Sequence, residues 1–226
     1  MLYWSHFGLQ NRKVRVRISA LLPKGYKVRF QRKYALVGDR EINIFILDYD
    51  MKKNVEAYCD AHIVKMQLES VQLLCTAYWV DRVLGHKPKL TIDEQKLIKK
   101  IAYNLVEEQK LPYYKPISNM NHPCAIWVRE SLENYKYLKE LTYYMHDEWK
   151  IRYKHPATKL HKAVGVLNEL PDPVNLPSSK LTDFAQAVLP KHKHKDAVTA
   201  YRNYYIDSKA KIAKWKTKPP IWWPKG

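Results

Sequence analysis

A chain of 226 residues with 46% hydrophobic and 12% aromatic content has the material for a packed core, which excludes global disorder. Its 40 Lys and Arg against 22 Asp and Glu give a net charge of +18, a surplus that repels itself in a compact state unless a polyanion or salt screens it. Nucleic acid is the partner this points to, and a membrane is not, because no apolar run approaches the roughly 20 residues of a span.

Residues 1–41 read as a basic extension. Met1-Leu2-Tyr3-Trp4 leads into a polar, Arg-rich stretch without the apolar core of a signal peptide, so an intracellular protein that is not secreted is expected. Ten Lys and Arg stand against Asp39 alone in the first 40 residues, which is half of the net charge. Val14-Arg15-Val16-Arg17-Ile18 alternates as a strand does, Pro23-Lys24-Gly25 reads as a turn, and Tyr26-Lys27-Val28-Arg29-Phe30 alternates again. A short β-rich arm that presents Arg15 and Arg17 to phosphates is one reading, and a disordered basic extension fits the same composition.

Residues 42–226 are expected to form a mainly α domain around two long helices. The apolar run Ile42 to Leu47 is long enough for a buried strand and ends at Asp48-Tyr49-Asp50. Helical periodicity follows from Lys52 to Trp79. Thr91-x-x-Glu94 is a capping box that opens an amphipathic helix with Leu97, Ile98, Ile101 and Leu105 on one face, stopped by Pro112 and Pro116. Asn121-His122-Pro123 starts the next helix, with proline tolerated in the first turn where its missing N–H has no partner anyway. That helix is predicted from about Ala125 to Tyr153, burying Val128, Tyr135, Leu138, Met145 and Trp149. Five prolines between residues 155 and 195 predict loops and short helices. Asp196 caps a last helix with Val198, Tyr201, Tyr205, Ile212 and Trp215 on one side, and the 216–223 tail is expected to be extended.

Cys59, Cys75 and Cys124 are odd in number and too widely spaced for a disulfide framework or a zinc site. Cys59 and Cys75, at helix-like positions among apolar residues, read as small hydrophobes; a reducing compartment follows, and neither a metal nor a cofactor is called for. With six glycines there is no Gly-rich phosphate loop, which argues against an NTPase or a dinucleotide enzyme.

The segment from Tyr58 to Thr76 carries the chemistry. His62, Lys65, Glu69, Gln72 and Thr76 are spaced 3, 4, 3 and 4 and so share one stripe of a helix whose other positions are mostly apolar. An imidazole, an amine and a carboxylate within two turns are costly to bury unless they pair with each other or meet a ligand. A Lys65–Glu69 ion pair beside a hydrogen-bonded His62 is the structural alternative. Asn121, His122, Arg129, Tyr201 and Arg202 are further candidates for contact with nucleic acid. Their structural alternatives are helix capping for Asn121, a snorkelling surface side chain for Arg129 and core packing for the tyrosines. Lys193, within Lys191-His192-Lys193-His194-Lys195, reads as a phosphate-contacting or solvated loop residue. Basic residues beside aromatics, as at Tyr113-Tyr114-Lys115 and Trp149-Lys150, suit a single-strand or flipped-base surface.

Asn43-Ile44-Phe45 ahead of a helix with Asp60-x-His62, and Glu69 seven residues later, resembles the phage-type pyrimidine-dimer DNA glycosylases (endonuclease V-like). These are small helical enzymes that excise a damaged pyrimidine and then nick the strand. The resemblance implies that Glu69 is the catalytic carboxylate. His62 is the candidate proton shuttle beside it, and Asp60 and Gln72 are further candidates for contact with nucleic acid. In that family the free α-amine of a processed N-terminus attacks the sugar, close to the position of Asn43 here. In this chain 42 residues precede Asn43, so Lys65 is the substitute amine to consider. The function expected is a pyrimidine-specific DNA glycosylase and lyase acting on double-stranded or locally single-stranded DNA, with RNA as the second candidate partner. The alternative is a non-catalytic nucleic-acid-binding or virion component in which the polar stripe is structural.

Overall fold

The computed structural model describes residues 42–224, which hold seven α-helices, one 3-10 turn and no strand. The expected β-rich arm, with Arg15 and Arg17, lies outside the described residues. The helices are α1 (Met51–Ala57), α2 (Asp60–Leu84), α3 (Ile92–Glu108), α4 (Pro123–Val128), α5 (Leu132–Arg152), α6 (Lys162–Glu169) and α7 (Ala197–Lys209). The 3-10 turn spans Pro190–His192. Among these residues no helix is long and apolar enough to cross a membrane.

Local capping chemistry starts most of these helices. Asp50 accepts from the Lys53 N–H, Ser131 from Asn134, His161 from Ala163 and Asp196 from Thr199. The Thr91–Glu94 capping box closes in both directions. Gly85 ends α2 at φ +71°, a left-handed conformation that costs glycine nothing.

The two long helices expected from periodicity are both interrupted. The first breaks at Tyr58 and Cys59, which are extended between α1 and α2. The cause is Arg152, at the end of α5, whose guanidinium donates to the carbonyls of Val55 (3.3 Å), Glu56 (2.8 Å) and Tyr58 (2.6 Å). These are carbonyls that a helix terminus leaves without partners. Glu148 at 2.5 Å and Asp60 at 3.2 Å balance its charge. The second break is at residues 129–131, where α4 ends and Ser131 caps α5. Asn134 takes the Trp127 carbonyl and Thr182, which seals the joint.

The apolar run Ile42 to Leu47 is a correction to the expected strand. It is buried from Asn43 onward, but among the described residues it pairs with no strand. Side chains satisfy its backbone instead: Asn54 accepts from the Leu47 N–H, Tyr58 and Asn54 donate to the Phe45 carbonyl, and Arg202 donates to the Leu47 carbonyl. An apolar run specifies burial; a strand also needs a neighbouring edge.

The core forms where α2 packs along α5, with α3, α4 and α6 also against α2. Trp79, Tyr58, Tyr135, Tyr201 and Tyr205 are fully buried, as are all three free cysteines. Burial pushes the thiols of Cys75 and Cys124 up to about 12, so neither is a nucleophile at neutral pH. α3 buries Ile98 and Ala102 but leaves Leu97 exposed, a narrower apolar seam than its sequence pattern. α7 ends at Lys209, so Ile212 and Trp215 follow it instead of continuing its face. The Trp215 indole donates to the Ala57 carbonyl, and Trp222 and Trp223 pack edgewise on Tyr205.

Asp196 also joins distant parts of the chain. Its carboxylate accepts from the Thr199 hydroxyl and N–H and from the Tyr49 hydroxyl, and these bonds hold its pKa at about 2, below the usual 3.8. A depressed carboxyl adds stability above its unfolded pKa and loses it as pH falls through the folded one. The protein is therefore expected to lose about 1 kcal/mol at this site between pH 4 and pH 2, after allowance for solvent screening. Asp196→Asn should flatten the melting-temperature profile across that window, and an unchanged profile would exclude the contribution.

Candidate functional site

α2 carries the polar stripe, but the rest of its circumference is not all buried. Val64 and Leu68, expected in the core, are each 38% exposed, and Ala61 and Lys65 are exposed beside them. The sides toward α3, α4, α5 and α6 are covered, and Tyr205 of α7 covers the start of the helix at Cys59 and His62. The stripe therefore runs along an edge, with His62, Glu69 and Thr76 just inside it and Lys65 and Gln72 at the surface. Thr76 is structural: its hydroxyl donates to the Gln72 carbonyl and accepts from the Ile117 N–H.

Glu69 is buried, at 5% exposure. Its Oε1 meets the Lys65 ammonium at 2.7 Å across one helical turn. Its Oε2 is buried and accepts no hydrogen bond from the described residues. A carboxylate oxygen in that state forfeits the solvation it would have in water, a deficit of order 1–3 kcal/mol.

His62 lies one turn before Lys65 and is also buried. It stacks on Phe45 at 4.8 Å between centroids, and its Nδ1 lies 2.6 Å from the Tyr205 hydroxyl. That hydroxyl also accepts from the Cys59 N–H, and it donates to His62 Nδ1 in the tautomer whose hydrogen is on Nε2. Burial, with lesser contributions from Lys209 and Lys65, lowers the imidazole pKa to about 3. His62 is thus neutral at physiological pH. Nitrogen-detected NMR should show one imidazole that stays neutral below pH 5, and a ring that titrates near 6.5 would contradict this placement. A histidine held neutral in the fold destabilises it as pH falls from 6.5 towards 3, because the unfolded chain binds the proton and the native one does not.

Behind this edge is a polar hub centred on Asn43. Its amide donates to the Ala187 carbonyl, and its Oδ1 accepts from the Ile44 N–H, the Cys124 thiol and the Tyr201 hydroxyl. The Tyr201 hydroxyl shares its proton with the Ala185 carbonyl and accepts from the Ala187 N–H. Glu69 lies close enough to contribute to the raised Cys124 pKa, so the carboxylate and the hub share one neighbourhood.

Several residues expected to meet nucleic acid are consumed by the fold. Arg129 has no exposed surface, and its guanidinium donates to the carbonyls of Lys87, Pro88 and Ala125. Asn121 clamps Leu90 through both its amide groups, and Asp60 pairs with Arg152. His122 caps α4 through Nδ1. Tyr201 is buried in the hub. Arg202 is half-buried, bonded to the Leu47 carbonyl and Asp48 and covered by the Trp222 ring at 5.3 Å. Gln72 and Lys193 remain at the surface. Sequence reading passed over Asn43 as a hub, Gln186 altogether, and Arg152 as a partner of backbone carbonyls. The one available signal was a lone Asn inside an apolar run.

Among the described residues no group of three or more His, Cys, Asp or Glu could hold a metal ion. No family model matches the chain, and no curated protein or solved structure matches it either.

Proposed function

We propose that this protein binds DNA and releases a pyrimidine base from it, with Glu69 as the carboxylate that stabilises the positive charge developing on the sugar. The observation that carries this reading is Glu69 Oε2, buried and without a partner, on a carboxylate whose other oxygen is already paired. The net charge of +18 and the local resemblance to pyrimidine-dimer glycosylases supply the substrate class.

In this reaction the bond between C1′ and the base nitrogen breaks, its electrons leave with the base, water adds at C1′, and the proton that the water gives up ends on the departing base. An anionic oxygen beside C1′ and O4′ lowers the energy of the oxocarbenium-like state between those events. In the tautomer with hydrogen on Nε2, neutral His62 suits hydrogen bonding to a carbonyl of the departing pyrimidine better than proton shuttling. Lys65 is salt-bridged to Glu69, and an ammonium has no lone pair for imine formation. The chemistry proposed is therefore base release by water, and Lys65 orients the carboxylate.

The test is a set of DNA duplexes carrying a pyrimidine dimer, uracil or a 5-substituted pyrimidine, scored for released base and for alkali-labile abasic sites. Borohydride is added in parallel to trap any imine. Released base with an alkali-labile strand and no trapped adduct is the expected result. A trapped adduct that disappears in Lys65→Ala would replace the water mechanism with a Lys65 lyase. Salt-sensitive binding with no base released from any duplex would overturn the reading and leave a non-catalytic nucleic-acid-binding protein.

A further inference from the structure

We infer that the cleft bounded by Pro123, Gln186, Lys193, His194 and Lys195 is a built site for a phosphodiester of the DNA strand. The cleft is open and has a volume of about 600 Å³. Its basic loop, residues 193–195, is held in place along its length. Gln186 reads the His194 backbone in both directions, its amide donating to the carbonyl at 2.6 Å and its Oε1 accepting from the N–H at 3.1 Å. Before the loop, the His192 ring meets Asp207 at 3.0 Å. After it, the Asp196 N–H donates to His194 Nδ1, which leaves the neutral ring's proton on Nε2 as a further donor.

The charges in this loop are uncompensated. Lys191 pairs with Asp207, but among the described residues neither Lys193 nor Lys195 makes an ion pair. The nearest carboxylate in sequence, Asp196, is occupied by Thr199 and Tyr49. Two ammonium groups and an imidazole N–H on an immobilised loop match a phosphate, because no ordering of the loop opposes binding.

The cleft borders the Asn43 hub: Pro123 precedes Cys124 and Gln186 precedes Ala187, and both Cys124 and Ala187 bond to Asn43. That the bound strand is the substrate rests on the function proposed for Glu69; the cleft's affinity for DNA does not.

The test measures binding of the full chain to a fluorescent single-stranded 12-mer across a salt series. Lys193→Ala/Lys195→Ala is compared with Lys52→Ala/Lys53→Ala, which removes the same charge from the exposed face of α1. The cleft variant is expected to bind at least about tenfold more weakly at 50 mM salt. Its log–log salt slope should flatten by about 0.7 to 1.4, the release expected for one or two phosphates on a single strand. The α1 variant should change affinity by less than about twofold. Gln186→Ala leaves the charge unchanged and should weaken binding at least about threefold through the freed loop.

Equal losses in the two double variants would reduce the effect to net charge and overturn the inference. So would a Gln186→Ala protein that binds as the wild type does. If 10 mM inorganic phosphate erased the difference between wild type and the cleft variant while sulfate did not, the cleft would belong to a free phosphate instead of a strand. A cleft effect without base release would overturn the Glu69 function alone, and base release without a cleft effect would overturn the cleft alone.

Discussion

Glu69→Gln is expected to lower the rate of base release by a factor of about 10² to 10⁴, the range that a positioned carboxylate or charge stabiliser contributes. The change removes the anion and keeps the shape. Its Oε1 can still accept from the Lys65 ammonium, and Lys65, with 55% of its side chain exposed, recovers solvation from water. An ion pair half open to solvent contributes no more than about 1 kcal/mol, so the melting temperature should shift by only a few degrees. DNA affinity should stay within about threefold of wild type, because the carboxylate repels phosphate in the ground state. Single-turnover rates, filter binding and a thermal melt on the same preparation separate these effects. A Gln variant that releases base at the wild-type rate would remove Glu69 from the chemistry. One that loses DNA binding and thermal stability together would mark the carboxylate as part of the fold.

Arg129→Ala is expected to cost about 3–5 kcal/mol of stability, the largest loss foreseen for any single substitution here. Three terms act together. The carbonyls of Lys87, Pro88 and Ala125 lose their donors in a dry setting, Asn121 Oδ1 loses a contact at 3.5 Å, and a long side chain leaves a cavity. At about 2–4 °C per kcal/mol for a chain of this size, the melting temperature should fall by roughly 10 °C. Burial lowers the guanidinium pKa to about 10, which still leaves it charged at neutral pH. Arg129→Met tests whether packing alone suffices; it fills the space but satisfies no carbonyl, and should recover only part of the loss. Neither variant should change DNA affinity by more than about twofold at temperatures where it is folded, because no part of Arg129 reaches the surface. A variant that melts as wild type does but binds DNA tenfold more weakly would reverse this and return Arg129 to the interface.

The two arginines account for where the sequence pattern gave out. Periodicity continues through Tyr58 and Cys59 and again through Arg129 and Glu130, and at both places the chain leaves the helix. Arg152 partners carbonyls at the end of α1, and Arg129 partners the Ala125 carbonyl of α4 together with two carbonyls of the loop after Gly85. Arg152 is some 95 residues from the carbonyls of α1, and Arg129 is about 40 from those of Lys87 and Pro88. No window of local sequence contains both partners.

The sequence by itself determined the helical class, the starts of the helices at Thr91, Pro123 and Asp196, the burial of Cys59 and Cys75 and the alignment of His62, Lys65 and Glu69 on one stripe. Each of these depends on neighbours within about four residues, the range over which helix geometry and capping act. Tertiary structure alone decided that Ile42 to Leu47 pairs with no strand among the described residues, that Val64 and Leu68 face outward, and that Asn43 meets Tyr201 across 158 positions. It also decided which polar groups were left over: Arg129, Asn121 and Asp60 are spent on backbone and ion pairs, whereas Glu69 Oε2, Lys193 and Lys195 are not. A sequence pattern records which face of a segment is apolar, but the partner that covers that face, or the hydrogen bond that claims a polar group, comes from whatever the rest of the chain brings into contact with it.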